Sequence, residues 1–364
     1  MDKNTPLDKA RREINEIDAE MAKLFVRRMH AAEAIADYKK ERGLAIYDAA
    51  REEEIIKRNS QMVEDEVLRE YYINFLQSNM AVSRAYQSRL IEGMKVAYAG
   101  TEGAFAHIAA EKLFPSAKKL PFADFTSAYR AVEKGYSDVC VLPVENSQNG
   151  EVGQVTDLMF SGTLYVNGTY ELAVTQDLLV VKGSKLSDIK LVVSHPQALG
   201  QCRKFIKDHG FAEMEYANTA LAAKYVAQLG DKSIAAIASS EAAELFGLDV
   251  LDHDINESRT NTTRFAVFSR VANKRIPKED GVHSILLFTV RNEAGALARA
   301  VEVIGNHGFN MRTLRSRPMK ELLWEYYFYV EVEGDVQTER GSSMMEELGE
   351  FCSRLKFAGT YIKL

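Results

Sequence analysis

The sequence predicts a multidomain protein with an all-α N-terminal domain, an α/β middle domain and an α+β C-terminal domain of ferredoxin-like order. Three observations carry this. Residues 1–92 hold one glycine (Gly43) and one proline (Pro6) out of the 22 and seven in the chain, and a stretch nearly free of breakers reads as long helices. From Met94 short apolar runs alternate with helical stretches. The final segment reads strand–helix–strand–strand–helix–strand. A length of 364 residues suits two or three domains at roughly 100–200 residues each. We set boundaries at 1–92, 94–271, a polar linker at 272–282, and 283–364.

In chain order, the first helix runs from about Leu7 to Arg42, with Ile14, Ile17, Met21, Leu24, Ala31 and Ile35 spaced by three and four. That is a heptad-like seam. A second helix starts near Tyr47 and a third covers about Val67–Ile91. Three helices with so narrow a seam enclose little core, so a homodimer or higher homo-oligomer is expected. Val96–Ala99, Asp138–Pro143, Leu178–Val181, Leu191–Ser194 and Ile234–Ala238 read as buried strands of a largely parallel sheet, which ends around Phe265–Arg270. In the last domain we expect strands at Ser284–Arg291, Asn310–Arg317, Tyr326–Glu333 and Phe357–Lys363. Helices are expected at Ala296–Asn306 and in the stretch ending near Arg354.

Composition excludes several classes. Hydrophobic residues make up 46% and charged residues 27%, ordinary for folded protein. A net charge of −6 argues against a nucleic-acid coat. Three scattered cysteines without C-x-x-C indicate neither a metal site nor a disulfide framework. No apolar h-region opens the chain and no run of 18 apolar residues occurs. The expectation is a cytoplasmic protein with no membrane, nucleic-acid, metal or cofactor partner.

Stepping along the first helix places Arg11, Arg28 and Lys39 on the seam face. Buried unpaired charge is costly, so these cations await an anion or ion pairs with neighbours such as Glu13, Asp48 and Glu52. Asp48, Arg51 and Glu52 share one face of the second helix, and Ser83 and Gln87 lie on the stripe of the third. Cations facing an amide and a hydroxyl suggest a small, oxygen-rich anionic ligand. The set resembles the all-helical chorismate mutases. The resemblance implies a site shared by two chains, Arg11 coming from the partner. Their pericyclic reaction needs no nucleophile or general base. It is helped by holding the dianion compact and placing donors at the ether oxygen. Arg11 and Arg28 would clamp carboxylates, Lys39 and Gln87 would face the ether oxygen, and Glu52 and Asp48 would hold the hydroxyl side.

In the middle domain, Gly100–Phe105 follows a strand and opens a helix, including Gly103, where backbone N–H groups could hold an anion. It is not G-x-G-x-x-G, so no nicotinamide site is supported. Pro143–Ser147 ends a strand, Ser194–Gln197 turns strand into helix, and Asn261–Phe265 precedes the last strand. Each alone has a bland reading as turn and cap chemistry, and His195 by itself reads better as structural than as catalytic.

Together these motifs resemble prephenate dehydratase, which implies two lobes of periplasmic-binding-protein type around a cleft. On that resemblance Thr263 is the essential residue. Its hydroxyl is too weak an acid for ordinary acid catalysis and reads as a hydrogen-bond donor. Arg264 is a candidate carboxylate anchor or a structural ion pair. Asn146, Ser147, His195, Gln197, Asn261 and Phe265 are candidate site residues, and Glu145 an orienting group or acid. Thr101, Ala104 and Ala106 depart from the family's Pro, Thr and Ser.

Residues 283–364 resemble an ACT domain. Gly295, Ala296, Leu297 and Ala298 match its G-A-L motif. Arg315, Ser316, Arg317 and Pro318 match E-S-R-P, with arginine in place of glutamate. The resemblance implies phenylalanine as effector, and Arg315 could repel its ammonium. The expected function is conversion of chorismate through prephenate to phenylpyruvate. The alternatives are an arogenate-preferring dehydratase or a non-catalytic amino-acid sensor.

Overall fold

The N-terminal helices begin and end where the chain supplies caps. α1 (Pro6–Arg42) starts in a capping box between Thr5 and Asp8, with Pro6 in its first turn, and stops at Gly43, whose φ of 62° is left-handed. α2 (Ala49–Ser60) is capped by Asp48 and α3 (Glu66–Glu92) by Asp65. In this computed structural model, residues 5–258, 260–274, 281–319 and 325–364 are described. The chain divides into two compact units, Met1–Lys95 and Val96–Leu364. The middle of the expected linker, residues 275–280, lies outside the described residues.

In the first unit α1 packs on α3 through Met29, Ala32 and Ala36 against Leu76 and Met80. Ile14, Ile17, Met21 and Leu24 stay between 43% and 63% exposed, so within the chain α3 meets the neighbouring stripe of α1 and the seam itself is left uncovered.

The second unit starts with β1 (Lys95–Ala99), α4 (Phe105–Leu113), β2 (Lys118–Phe122), α5 (Phe125–Glu133), β3 (Val139–Asn146), β4 (Gly150–Glu151), α6 (Gly153–Ser161) and β5 (Tyr165–Ala173). A second lobe follows: β6 (Asp177–Val180), β7 (Leu191–Ser194), α7 (Pro196–Gln201), α8 (Arg203–His209), β8 (Ala212–Glu215), α9 (Thr219–Leu229), β9 (Ile234–Ala238), α10 (Ser240–Phe246) and β10 (Asp249–Asp252). β11 (Thr262–Ser269) then returns to the first lobe.

The two sheets run β2-β1-β3-β11-β5, with β4 beside β3, and β10-β6-β9-β7-β8. They are mixed rather than largely parallel. β11 is antiparallel to both β3 and β5, and β6 is antiparallel to β9 and β10. The chain crosses between lobes twice, and the returning strand enters its sheet from the opposite end. At the crossing Val174 N–H donates to Asn261 O (2.8 Å) and Ile255 N–H to Gln176 O (2.8 Å). This two-strand junction is what a periplasmic-binding-type pair of lobes requires.

The last segment adds β12 (His283–Thr289), α11 (Ala296–Asn306), β13 (Met311–Pro318), β14 (Tyr326–Glu333), α12 (Glu339–Gly349) and β15 (Arg354–Tyr361). Its antiparallel sheet runs β13-β14-β12-β15, the ferredoxin-like order. Strand alternation gives it two buried faces. Leu286, Phe288, Val330 and Val332 pack on α11 and α12. Ile285, Leu287, Tyr329 and Tyr361 join one core with Leu142, Met159 and Phe268 of the first lobe. The C-terminal sheet is therefore cored into the middle domain.

Candidate active sites

In the helical unit the polar stripe of α3 is buried. Ser83 and Gln87 share the face of Leu76 and Met80, and Gln87 Oε1 has no partner among the described residues. Arg28 reaches across from α1 to donate to Ser83 Oγ and to Asn79 O. Burial lowers the Arg28 pKa, a cost that an anion against it would offset. Lys39 Nζ donates to Ile46 O. Glu52 pairs with Arg84, whose guanidinium lies 5.2 Å from the Tyr47 ring centroid. Asp48 accepts from Arg51 N–H at the start of α2, and the Arg51 side chain turns to Glu54 on its own helix (2.7 Å). Arg11 is exposed. Arg28 and Ser83 are thus brought together within one chain, and Arg11 is left facing outward.

The middle domain holds a cleft of about 400 Å³ between its lobes. At its base Asn146 and Thr263 are register partners at the ends of β3 and β11. Asn146 Nδ2 donates to Thr263 Oγ1 (3.0 Å) and to Asn261 Oδ1 (2.8 Å), and its Oδ1 accepts from the N–H groups of Gln148 and Asn149 (3.0 Å each). Because Thr263 Oγ accepts from Asn146, its own proton is left to donate into the cleft.

Two further amide ends there, Asn261 Nδ2 and Gln176 Oε1, are buried without a partner among the described residues. An unsatisfied buried polar group costs about 1–3 kcal/mol, so a polar ligand at these atoms would gain by it. Among the described residues no lysine or arginine lines this cleft. Helix starts supply donors instead, beside the carboxylate of Glu151. α4 and α6 begin at the cleft wall at Ala104 and Val152, neither with a side-chain cap, so their first-turn N–H groups, apart from that of Val155, which donates to Val152 O, are available to an anion.

Several expected residues lie elsewhere. Alternation sends Glu145 and Arg264, one position from Asn146 and Thr263, to the opposite face of the sheet. There Arg264 meets Glu145 (3.5 Å), Glu171 (3.4 Å) and Glu331 (3.6 Å). Burial alone would lower the Arg264 pKa, but Glu331 and its other anionic neighbours raise it. Arg264 is the structural ion pair rather than the carboxylate anchor, and Glu145 is held away from the cleft. Phe265 is core. Ser147 Oγ staples the strand ends, donating to Thr260 O (2.8 Å) and accepting from Thr262 N–H (2.9 Å).

Gly103, with φ +83° and Ala220 Cβ only 3.2 Å from where its own Cβ would stand, lets the lobes approach. His195 and Gln197 do line the cleft, His195 Nδ1 accepting from Gln197 N–H to cap α7. Sequence reasoning missed Gln176, Asn218 and Gln201. Their only signal was a neutral amide beside a strand or helix end.

In the C-terminal domain a cavity of about 310 Å³ is lined by Asn292, Glu293, Leu297, Ser316 and Phe328, beside the start of α11, where Gly295 gives no side-chain cap. Leu297 and Ser316 fall in it. Gly295, Ala296 and Ala298 are not among its lining residues. Arg315 and Arg317 project from the other face of β13, to Glu145 and Asp157 respectively, and Pro318 borders a separate cavity with Tyr327 and Arg354. Arg315 therefore does not face this cavity.

Three family models match the chain: Chorismate mutase type II over residues 10–88, Prephenate dehydratase over 96–273 and ACT domain over 284–341. The chain is similar to a bifunctional chorismate mutase/prephenate dehydratase of Aquifex aeolicus, 30% identical over 98% of both chains. It is also similar to arogenate dehydratase 2 of Petunia hybrida, 34% identical over 74% of this chain and 71% of that one. Among solved structures it resembles a quorum-quenching acylase, GqqA (TM-score 0.68, 31% identity, 74% of this chain and 98% of that one). It also resembles the prephenate dehydratase of Arthrobacter aurescens in complex with L-Phe (TM-score 0.67, 25% identity, 74% and 90%).

Proposed function

The chain belongs to the family of bifunctional chorismate mutase/prephenate dehydratases, and from that membership we propose how its residues divide the work. The protein has both activities, rearranging chorismate to prephenate and converting prephenate to phenylpyruvate in phenylalanine biosynthesis.

In the helical unit Arg28 clamps a chorismate carboxylate, and Ser83 sets its guanidinium. Arg11 arrives from a second copy packed on the exposed seam of α1. Lys39 and Gln87 donate to the ether oxygen as it gains negative charge, and Asp48, Arg51 and Glu52 hold the remaining polar groups. The burial of Gln87 on the same stripe as Ser83, and the uncovered Ile14–Leu24 stripe, support this reading.

In the cleft, the Asn146–Thr263 hydrogen bond is the observation that carries the proposal. It orients the Thr263 proton toward the departing ring hydroxyl. A solvent proton passed through the Thr263 hydroxyl, which takes one up as it gives one away, lets the ring hydroxyl leave as water, while the ring carboxylate leaves as CO2 and its bonding electrons complete the aromatic ring. Open N–H groups of α4 and α6, with Gln176, Gln197 and Asn261, would hold the carboxylates in place of a cation. His195 shapes the start of α7. Phenylalanine would occupy the cavity at Leu297, Ser316 and Phe328, its carboxylate at the start of α11, and inhibit the dehydratase. Residence in the cytoplasm belongs to the same proposal.

The test is to incubate pure full-length protein with chorismate, and separately with prephenate and arogenate, and follow products by chromatography with and without phenylalanine. Prephenate then phenylpyruvate should appear. Faster turnover of arogenate than of prephenate would reassign the cleft's preferred substrate.

A further inference from the structure

Two pairs of charges cross from the C-terminal sheet to the back of the cleft strands. Arg315 on β13 pairs with Glu145 on β3, and Glu331 on β14 lies 3.6 Å from Arg264 on β11. Glu145 and Arg264 also meet each other (3.5 Å), and Arg264 and Lys363 share Glu171. The cluster thus holds three cations and three carboxylates. It is backed by the buried Tyr329 and Tyr361; Glu331 is buried, Glu145, Arg264 and Arg315 are half-buried, and Glu171 and Lys363 lie at its exposed rim. Glu145 and Arg264 are register partners, as are Asn146 and Thr263 one residue along. Alternation sends the first pair back into the charge cluster and the second forward into the cleft.

We propose that Arg315 and Glu331 are positioning residues for the dehydratase reaction, fixing Asn146 and Thr263 through Glu145 and Arg264. The inference rests on the dehydratase reading of the cleft. A strand is stiff along its length, so a displaced Glu145 moves the Asn146 backbone with it. The β3–β11 ladder shifts register between Arg264 and Phe265, so past that point β3 is held to β11 by the short run at Glu145, Asn146 and Ser147, which the charge cluster braces from behind. Glu331 is buried, and a buried carboxylate is costly to strip of its partner, which suits its pair with Arg264 to holding a register.

Arg315 Nη2 donates to Glu145 Oε1, and the planar guanidinium holds that direction where a freely rotating ammonium on lysine would not. Ser316, next to Arg315 on β13, lines the cavity on the other face. A ligand there would therefore press on the same strand that carries the clamp.

The test uses full-length protein, with wild-type turnover of prephenate measured first. No turnover would overturn the proposed function, and this inference with it. With turnover present, Arg315→Met should lower kcat for prephenate about tenfold or more, since misplacing a reacting group by an ångström is that costly. Its KM should change much less, because neither residue touches substrate, and chorismate turnover by the same sample should be unchanged. Arg315→Lys should recover part of the loss. Arg315→Met combined with Glu145→Gln should be no worse than the poorer single variant, as expected for residues acting as one unit. If Arg315→Met melts early, the isosteric Glu331→Gln carries the test and should also lower kcat. Unchanged kcat in a normally melting Arg315→Met or Glu331→Gln, or fully additive losses in the double variant, would overturn the clamp.

Discussion

Thr263 illustrates how much chemistry one neighbour decides. A threonine hydroxyl is no acid near neutrality, but Asn146 occupies one of its lone pairs and leaves the proton to point outward. Thr263→Ala should slow phenylpyruvate formation by roughly 10²–10³, the usual cost of one donor at a developing charge, while prephenate accumulates from chorismate. Thr263→Ser should keep much of the rate. A fully active alanine variant, read by single-turnover kinetics on prephenate, would remove Thr263 from the mechanism. The adjacent Arg264 carries the opposite lesson. Its motif and charge left two readings, a carboxylate anchor or a structural ion pair; one step along a strand reverses the face, and its charge meets Glu145, Glu171 and Glu331 at the junction between sheets.

At the scale of elements, α1 is split between two tasks. Its C-terminal half buries Met29, Ala32 and Ala36 on α3, while Ile14, Ile17, Met21 and Leu24 are uncovered within the chain. An exposed apolar stripe of this length marks an interaction surface. Leu24→Asp should convert a dimer to monomer in sedimentation velocity. It should also cut chorismate turnover by about 10²-fold or more, because the partner's Arg11 would no longer reach the site. Turnover of supplied prephenate should persist. A dimer that survives Leu24→Asp with full mutase activity would place the second copy elsewhere.

At the scale of the molecule, the C-terminal sheet shares a core with the lobe that carries the catalytic strands, so their stabilities are linked. His283 reports on that junction. It is buried on β12, stacked on Tyr361 at 5.6 Å and 3.8 Å from Glu331, with Arg312, Glu333 and Lys363 also acting on it. Burial pushes its pKa below the ordinary 6.5, Glu331 opposing in part. The unfolded chain therefore binds this proton first as pH falls. The stabilisation is complete above pH 6.5 and declines as pH drops from there toward the folded value. The thermal midpoint for loss of dehydratase activity should fall between pH 7.5 and 5.5 in wild type and fall less steeply in His283→Gln. Equal slopes would assign the acid sensitivity to other groups.

The sequence by itself determined the local matters. Breakers bounded the helices, continuous apolar runs marked the doubly buried β3, β7 and β9, and Ala296–Asn306 and Tyr326–Glu333 fall where their periodicity put them. Motif order was enough to name Asn146, Asn261 and Thr263 for the cleft. It could not find β5, whose Asn167, Gly168 and Glu171 interrupt any apolar run, nor the exposed β8. Nor could it tell that β11 runs antiparallel. Which face of a strand looks into the cleft is set by register against distant strands. Whether a charge pairs is set by residues more than a hundred positions away, as Arg315 and Glu145 are. Spacing along a chain encodes neither of these, because both are properties of the closed packing, and only the tertiary structure decided them.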